Sequence, residues 1–443
     1  EVSSADAVWY PDDPVALEDF LENALGDDAV SGVRALEWEP AARAFPEESR
    51  ACAASVRAVL DRQASSAATL KTFGRRWIAN ACRSFLLAGK AVDLRRAASA
   101  VVVAAAGPSL NRSLAALEPY RETIALIAVS SALKACLDAG FKPDIVVTTD
   151  GGYWSRSHLY PLTGTSIVLA APLTALPSAR LWPSSTLLLL DQGSFAEREL
   201  LPLLGPALLL PPHGTVAGTA LRLASRLFEG PIIVAGLDLA CRGDAEHASP
   251  HAFEALLEKD SRRLDPAEGR IWSRAVSVAP DSLGGGWRGS RSMGTYAATI
   301  ALDLRGKGER PYRLCPSPVE IAGFASLRPE DLRGLLGEMA QAARGTTPLG
   351  KALELPAPSL RASLLDEKLG SWKELACRGA ARLEKGEDVG DRDIEDLLRS
   401  VDLPDFAAAR RAAFRGEDPG PSARNLSAAV LAFLSDLRER MQA

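Results

Sequence analysis

Between about residue 96 and residue 335, short apolar runs alternate with segments whose apolar positions recur every three or four residues. The first run, Val101–Ala106, stops at Gly107-Pro108-Ser109-Leu110. Its length and its three valines predict a strand buried on both faces. Runs at Thr123–Val129, Pro143–Asp150, Ser166–Ala171, Thr186–Leu190, Ala207–Leu210 and Pro231–Ala235 read the same way. Helical patterns lie between them, one through Leu133 and Leu137 to Gly140, another carrying Val216, Ala220, Leu223 and Leu227. Strands interleaved with helices predict an α/β, Rossmann-like domain with a largely parallel sheet.

The flanks have a different texture. Residues 1–95 read as a mainly helical N-terminal domain: Asp13 before Pro14 suits a helix start, with Leu17, Phe20, Leu21 and Leu25 on one face. A second helical stretch there carries Phe73–Asn80, in which Arg75 and Arg76 either meet a phosphate or acidic partner or form a solvated face. Residues 336–443 read as a C-terminal helical domain rich in Ala, Leu and Arg, with linkers such as Thr346-Thr347-Pro348. Its last stripe, Leu426, Val430, Phe433, Leu437 and Met441, has helical spacing suited to core packing, and the domain as a whole is a candidate for binding an acceptor protein. The central domain is then residues 96–335.

In a parallel sheet the ligand lies beyond the carboxyl ends of the strands. That places Gly107–Ser109, Ser130-Ser131, Asp150, Asp191, His213–Thr215 and Asp238 at the ligand-facing edge. Gly107 permits a tight turn, Pro108 fits a first helical turn, and Ser109 adds a hydroxyl beside free N–H groups, a combination suited to a phosphate or to an ordinary strand-to-helix turn. Asp150, followed by Gly151-Gly152, suits ribose hydroxyls, a metal, or a loop cap. Thr215 is equally an N-cap and a holder of a carboxylate or phosphate. The loop after Asp238 holds His247 and His251. Their i,i+4 spacing is that of metal ligands, but Pro250 interrupts any helix between them, so a single histidine acting as general base is the better functional reading. His247 is that candidate, His158 its competitor, and His251 is expected at the surface. The segment Gly284–Thr295 reads as a flexible lid or a surface loop, with Arg288 and Arg291 able to pair a carboxylate or phosphate.

Composition narrows the field. Of 443 residues 47% are hydrophobic and 24% charged, the profile of a globular protein. A net charge of −5 argues against a general nucleic-acid binder. The apolar runs are too short for a membrane span, and no secretory signal is visible. Six cysteines without a C-x-x-C pair suit a reducing compartment, so the expected location is the cytoplasm. The absence of G-x-x-x-x-G-K-[ST] disfavours a P-loop enzyme, and that of G-x-G-x-x-G after the first strand disfavours a dinucleotide dehydrogenase.

Taken in order, the strand with Gly107-Pro108-Ser109-Leu110, Pro143–Asp150, the Thr215 helix, Gly236-Leu237-Asp238-Leu239-Ala240 with His247, and Pro316–Gly323 resemble the motility-associated factor (Maf) glycosyltransferases. Phe73–Asn80 resembles the N-terminal region of that family. The Gly-Pro-Ser-Leu turn and the Gly-x-Asp strand end are also similar to bacterial sialyltransferases that use CMP-sialic acid. The chain departs from the Maf pattern at Ser130-Ser131, where Asn is usual, and at Leu237, where Gln is usual. The resemblance implies an inverting transfer of a nonulosonic acid, of pseudaminic or legionaminic type, from a CMP-activated donor to Ser or Thr of flagellin. It implies Gly107, Pro108, Ser109, Ser130, Asp150, Thr215, Arg288 and Arg291 around the donor. His247 would handle the proton, with Asp238 and Asp150 supporting the site and no metal or other cofactor required. Two alternatives accompany it: a pterin diphosphokinase using ATP and Mg²⁺ on a similar core, and a non-catalytic flagellin-binding protein.

Overall fold

The computed structural model describes residues 8–24, 33, 35–162, 165–175, 185–305, 310–337 and 350–442. Leu25 and the Thr346-Thr347-Pro348 linker lie outside the described residues. The chain forms two compact units, one of residues 79–365 and one of residues 1–78 together with 366–443.

In the unit of residues 79–365 the strands are β1 (Lys90–Leu94), β2 (Val101–Ala104), β3 (Ala125–Val129), β4 (Ile145–Val147), β5 (Val168–Pro172), β6 (Thr186–Asp191), β7 (Leu208–Leu209) and β8 (Ile232–Ala235). After them come β9 (Cys241–Arg242), β10 (Asp281–Gly284), β11 (Trp287–Gly289), β12 (Tyr312–Leu314), β13 (Ala325–Leu327) and β14 (Gly350–Leu353). Among the described residues eleven of these form one sheet in the order β13-β12-β8-β2-β3-β4-β5-β6-β1-β14, with β7 also on β6. Every pairing in it is parallel except β1 with β14. The fold is α/β and Rossmann-like, as the alternation of apolar runs predicts.

The central strand explains itself. All four residues of β2 and all five of β3 are buried, because neighbours and helices cover both faces. Val101 pairs with Ala125 on one side and with Ile232 on the other. From β2 the chain steps outward through β3, β4, β5 and β6, then returns across β2 to lay down β8, β12 and β13. The reversal falls between β2 and β8, and a crevice at such a reversal is where open α/β sheets bind ligands. The helix Leu110–Leu117, launched from the end of β2, buries Leu110, Leu114 and Leu117 completely or nearly so. Each such leucine contributes about 1.5–3 kcal/mol, which anchors the turn before it. The helix Val216–Leu227 lies on β2 and β3 and buries Ala220, Leu223, Ala224 and Leu227.

Three elements depart from the sequence reading. β1 falls within the mainly helical 1–95 stretch, and β14 falls beyond residue 335; both are short and interrupted by charged residues, so neither presents an apolar run. Gly284–Thr295 is neither a lid nor an irregular loop. Gly284, Gly285 and Gly286, all at positive φ, turn a hairpin between β10 and β11, and β11 pairs with β9. Glycine tolerates that left-handed backbone without penalty, so the run that reads as flexibility is a turn.

The unit of residues 1–78 and 366–443 is helical in its described part. Leu426, Val430, Phe433 and Leu437 are buried on one stripe of the helix Gly420–Gln442. Arg75 serves this unit internally: its Nε donates to Val401 O at 2.7 Å, and its guanidinium lies 3.5 Å from the Asp402 carboxylate and 6.0 Å from the Phe433 ring centre. Arg76 lies over the Phe73 ring.

Candidate functional site

The turn after β2 and the turn after β8 are built as one piece. Gly107 N donates to Gly236 O at 2.8 Å, and Ser109 N donates to Asp238 Oδ2 at 2.7 Å. A Cβ on Gly107 would stand 2.5 Å from Asp238 Oδ2 and 2.6 Å from Gly236 O, so only glycine allows this approach. Gly236, at φ +70, meets Ala105 O in the same way. Leu110 N donates to Gly107 O. The N–H groups read as free at this turn are therefore already engaged, because Asp238 supplies an internal anion where the sequence suggests an external one. Gly107, Pro108 and Ser109 form the turn that leads into the helix Leu110–Leu117.

Asp238 is 1% exposed. Burial raises its carboxyl above the ordinary range, while the Ser109 N–H and the charges of Arg313 and Arg242 oppose that rise. Arg313, on β12, was not singled out from sequence, yet it holds the strand end together. Its guanidinium donates to Leu237 O at 2.8 Å, to Val319 O at 2.6 Å and to Ser317 Oγ at 3.2 Å. Ser317 Oγ in turn donates to Asp238 O at 2.6 Å. Leu239 and Cys315, immediately beyond this lattice, sit at φ 47 and φ 50. Left-handed backbone on bulky side chains concentrates at functional sites.

On the other side of β2, Ser130 is buried at the start of a helical turn after β3. Asp150 is exposed two residues beyond Thr148, its Oδ1 accepting from Gly152 N at 2.7 Å, so the loop-cap reading of this aspartate is realised. Asn80 steadies the same loop, donating to Gly151 O at 3.1 Å and Thr174 O at 3.0 Å. The helical stretch Tyr153–Leu162 follows, packs against the Ser130 turn and carries His158.

Three of the four histidines meet here. His247 stacks on His251 with centroids 4.3 Å apart and planes 20° apart, and His158 meets His251 edge-on at 5.0 Å. Phe253 closes the group, 4.8 Å from His158. His251, expected at the surface, is instead 8% exposed. The reason is that the loop folds back onto the Gly107 turn: Ala248 N donates to Ala106 O at 2.8 Å, and Asn111 Nδ2 donates to Ser249 O. Lone pairs lie in the ring planes, so stacked imidazoles do not converge on one ion. Among the described residues no group of three His, Cys, Asp or Glu is arranged to hold a metal.

The remaining candidates lie apart from this centre or have internal duties. Thr215 is an N-cap: its Oγ1 accepts from Gly218 N at 3.0 Å and lies 3.2 Å from His213 Nδ1. Arg288 spends its guanidinium on Ala279 O and Pro280 O, which ties the hairpin to the end of the helix Ala267–Val278. Arg291 opens the helix Arg291–Leu304, capped by Ser290. Asp191 Oδ1 accepts from Gly193 N and closes a turn.

Residues 79–244 match the family described as 6-hydroxymethylpterin diphosphokinase MptE-like. This segment is similar to the MptE-like family. The Maf resemblance read from the motifs includes this same core. An uncharacterized protein of Treponema pallidum (strain Nichols) is 31% identical over 252 residues, which is 57% of this chain and 56% of that protein. The match thus spans about half the length of the curated relative. The solved Maf glycosyltransferase of Magnetospirillum magneticum AMB-1 is similar at a TM-score of 0.48 and 14% identity, covering 86% of this chain and 62% of that one.

Residues 79–244 bring Gly107, Ser109, Ser130, Asp150, His158 and Asp238 to one sheet edge, while His247 and His251 lie just past the last matched residue. Buried polar atoms mark the same edge. Ser109 Oγ, Thr148 Oγ1, Asp238 Oδ1, His158 Nδ1 and His251 Nε2 are all buried without a hydrogen bond of normal geometry. All five fall on segments that follow β2, β4 and β8. Such groups cost about 1–3 kcal/mol each, and they gather where a ligand or water completes them. Thr148 and Arg313 went unrecognised in the sequence, Thr148 because a threonine in a strand reads as β-propensity and Arg313 because its strand has three residues.

The histidine cluster gives the unit of residues 79–365 an acid-sensitive stability. Burial holds His158 down to about 4, aided by His247 and opposed by Asp150; burial also holds His251 down to about 3. An unfolded histidine titrates near 6.5. As pH falls below that value the unfolded chain takes up protons that the folded cluster refuses, so stability is present at neutral pH and is lost towards pH 4. The urea midpoint should therefore fall between pH 7.5 and pH 5, and fall less in His158→Phe. Parallel pH profiles for the two proteins would remove the cluster as the cause.

Proposed function

We propose that this protein is an inverting glycosyltransferase that moves a nonulosonic acid from a CMP-activated donor to Ser or Thr of flagellin. The observation that supports a ligand site is the set of buried polar atoms left without a hydrogen bond of normal geometry at the reversal between β2 and β8, beside three clustered imidazoles. Donor and acceptor come from the resemblance to the Maf glycosyltransferases. In the transfer, the acceptor hydroxyl oxygen bonds to the anomeric carbon as the bond from that carbon to the phosphate oxygen breaks. CMP leaves with the electron pair, and His247 takes the hydroxyl proton. Ser109, Ser130 and Asp150 line the nucleotide side, and Asp238 holds the Gly107 turn in register. Thr215, Arg288 and Arg291 have structural duties and are the weakest donor contacts. The helical C-terminal segment is the proposed flagellin-binding part.

The family description of residues 79–244 favours a second reading, a pterin diphosphokinase using ATP and Mg²⁺. Thermal unfolding separates the two, because a ligand stabilises the state it binds. CMP is expected to raise the melting temperature more than AMP, GMP or UMP. A larger rise with ATP and Mg²⁺ would favour the kinase. Equal shifts from all nucleotides would count against the transferase.

A further inference from the structure

Of the three clustered histidines, proton transfer uses only His247. His251 is the most enclosed, and its two ring nitrogens are in different situations. Nδ1 accepts from Phe253 N at 3.4 Å, a long contact that favours the neutral ring with its proton on Nε2. That Nε2–H is buried and has no partner in the chain. His158 Nδ1, at the edge of the same group, is buried without a partner too. The loop that carries His251 is tied to the Gly107 turn through Ala248 N and Asn111 Nδ2, which brings the unsatisfied donor to the same sheet edge as that turn.

We propose that His251 is an uncharged hydrogen-bond donor, through Nε2, to an anionic oxygen of the bound sugar nucleotide. The oxygen belongs to the nucleotide phosphate or to the sugar carboxylate, which share the same acceptor chemistry. The proposal rests on the reading of this crevice as a CMP-sugar site. Its logic is that of an oxyanion hole: a fixed neutral donor stabilises developing charge without the reorganisation a mobile cation needs. The surroundings keep the ring neutral. Burial lowers its basicity first, and the neighbouring His247, His158 and Arg274 each lower it further. Glu246, Arg274's ion-pair partner at 2.9 Å, and Asp150 are the nearby acidic groups, acting on His247 and His158 respectively. Stacking against His251 also holds the His247 ring in one plane, so His251 is at once a ligand contact and a positioning residue for the base.

The test is ¹⁵N ring spectroscopy on the full chain labelled at histidine, with each resonance assigned by its loss in His158→Phe, His247→Phe and His251→Phe. His251 is expected to be neutral with its proton on Nε2 from pH 5 to pH 8. A cationic ring at pH 6, or a proton on Nδ1, overturns the proposal whatever binds. The Nε2–H signal should then move on adding CMP if phosphate is the partner, or N-acetylneuraminate if carboxylate is; cytidine, which lacks both, should leave it in place. Where CMP raises the melting temperature but neither anion moves His251, the donor role is overturned and the nucleotide reading survives. No response to any of the three overturns both. His251→Phe should weaken the anion that moves the signal on the order of ten-fold or more, and His251→Gln, which keeps an N–H donor, should restore most of that loss. Equal weakening in both variants would overturn the donor role.

Discussion

His247→Ala is expected to cut sugar transfer by about 10²-fold or more while leaving CMP affinity within roughly a few-fold. A serine or threonine hydroxyl is a poor nucleophile at neutral pH, and a positioned base contributes about 10²–10⁴-fold. Burial, with Arg274 acting in the same direction and Glu246 against it, lowers His247 below the ordinary histidine value. The ring is therefore unprotonated at neutral pH and ready to accept. Its loop is tied back to the turn after β2 through Ala248 N, which donates to Ala106 O. Transfer at near wild-type rate would give the proton to another group, and Asp150 and His158 are the ones to replace next. Loss of CMP binding in the same variant would make His247 a binding residue instead.

Arg313→Ala is expected to carry the largest stability cost of any single substitution at the sheet edge. The side chain is 5% exposed and serves Leu237 O, Val319 O and Ser317 Oγ at once. Its removal leaves buried carbonyls without donors and the buried Asp238 without its neighbouring cation. Each buried group left unsatisfied costs about 1–3 kcal/mol, so a total of about 3 kcal/mol is expected. That lowers the melting temperature by roughly 5 °C in a unit of this size. Arg313→Lys keeps the charge but loses the fork that reaches several oxygens, and should fall between the two. An unchanged unfolding midpoint in Arg313→Ala would mean that the lattice around Asp238 is held from elsewhere.

The central strands and the glycine turn were legible because they state their physics locally. Strands buried on both faces must be apolar throughout, and Gly107 sits where no Cβ fits. β12, β13 and β14 were not legible: three or four residues with an arginine, a serine or a lysine among them carry no periodicity, and their place is set by the neighbours they complete. The histidine cluster shows the same limit. His247 and His251 are close in sequence, but nothing local says that the loop folds back onto Ala106, or that His158, from a different strand end, joins them. Composition misled at the Gly-rich hairpin, where glycine supplies handedness, and at Arg288, whose charge reads as a ligand contact but ties a strand to a helix end.

The unit of residues 1–78 and 366–443 draws on two stretches separated by the whole of the other unit. During synthesis its first stretch leaves the ribosome long before the second exists. At about 5–20 residues per second the wait is on the order of half a minute. The sheet of residues 79–365 has all its strands in hand earlier and can fold while the first helices still lack their partners. This order of emergence lets folding run from the middle of the chain outward, with the early helices waiting for their partners.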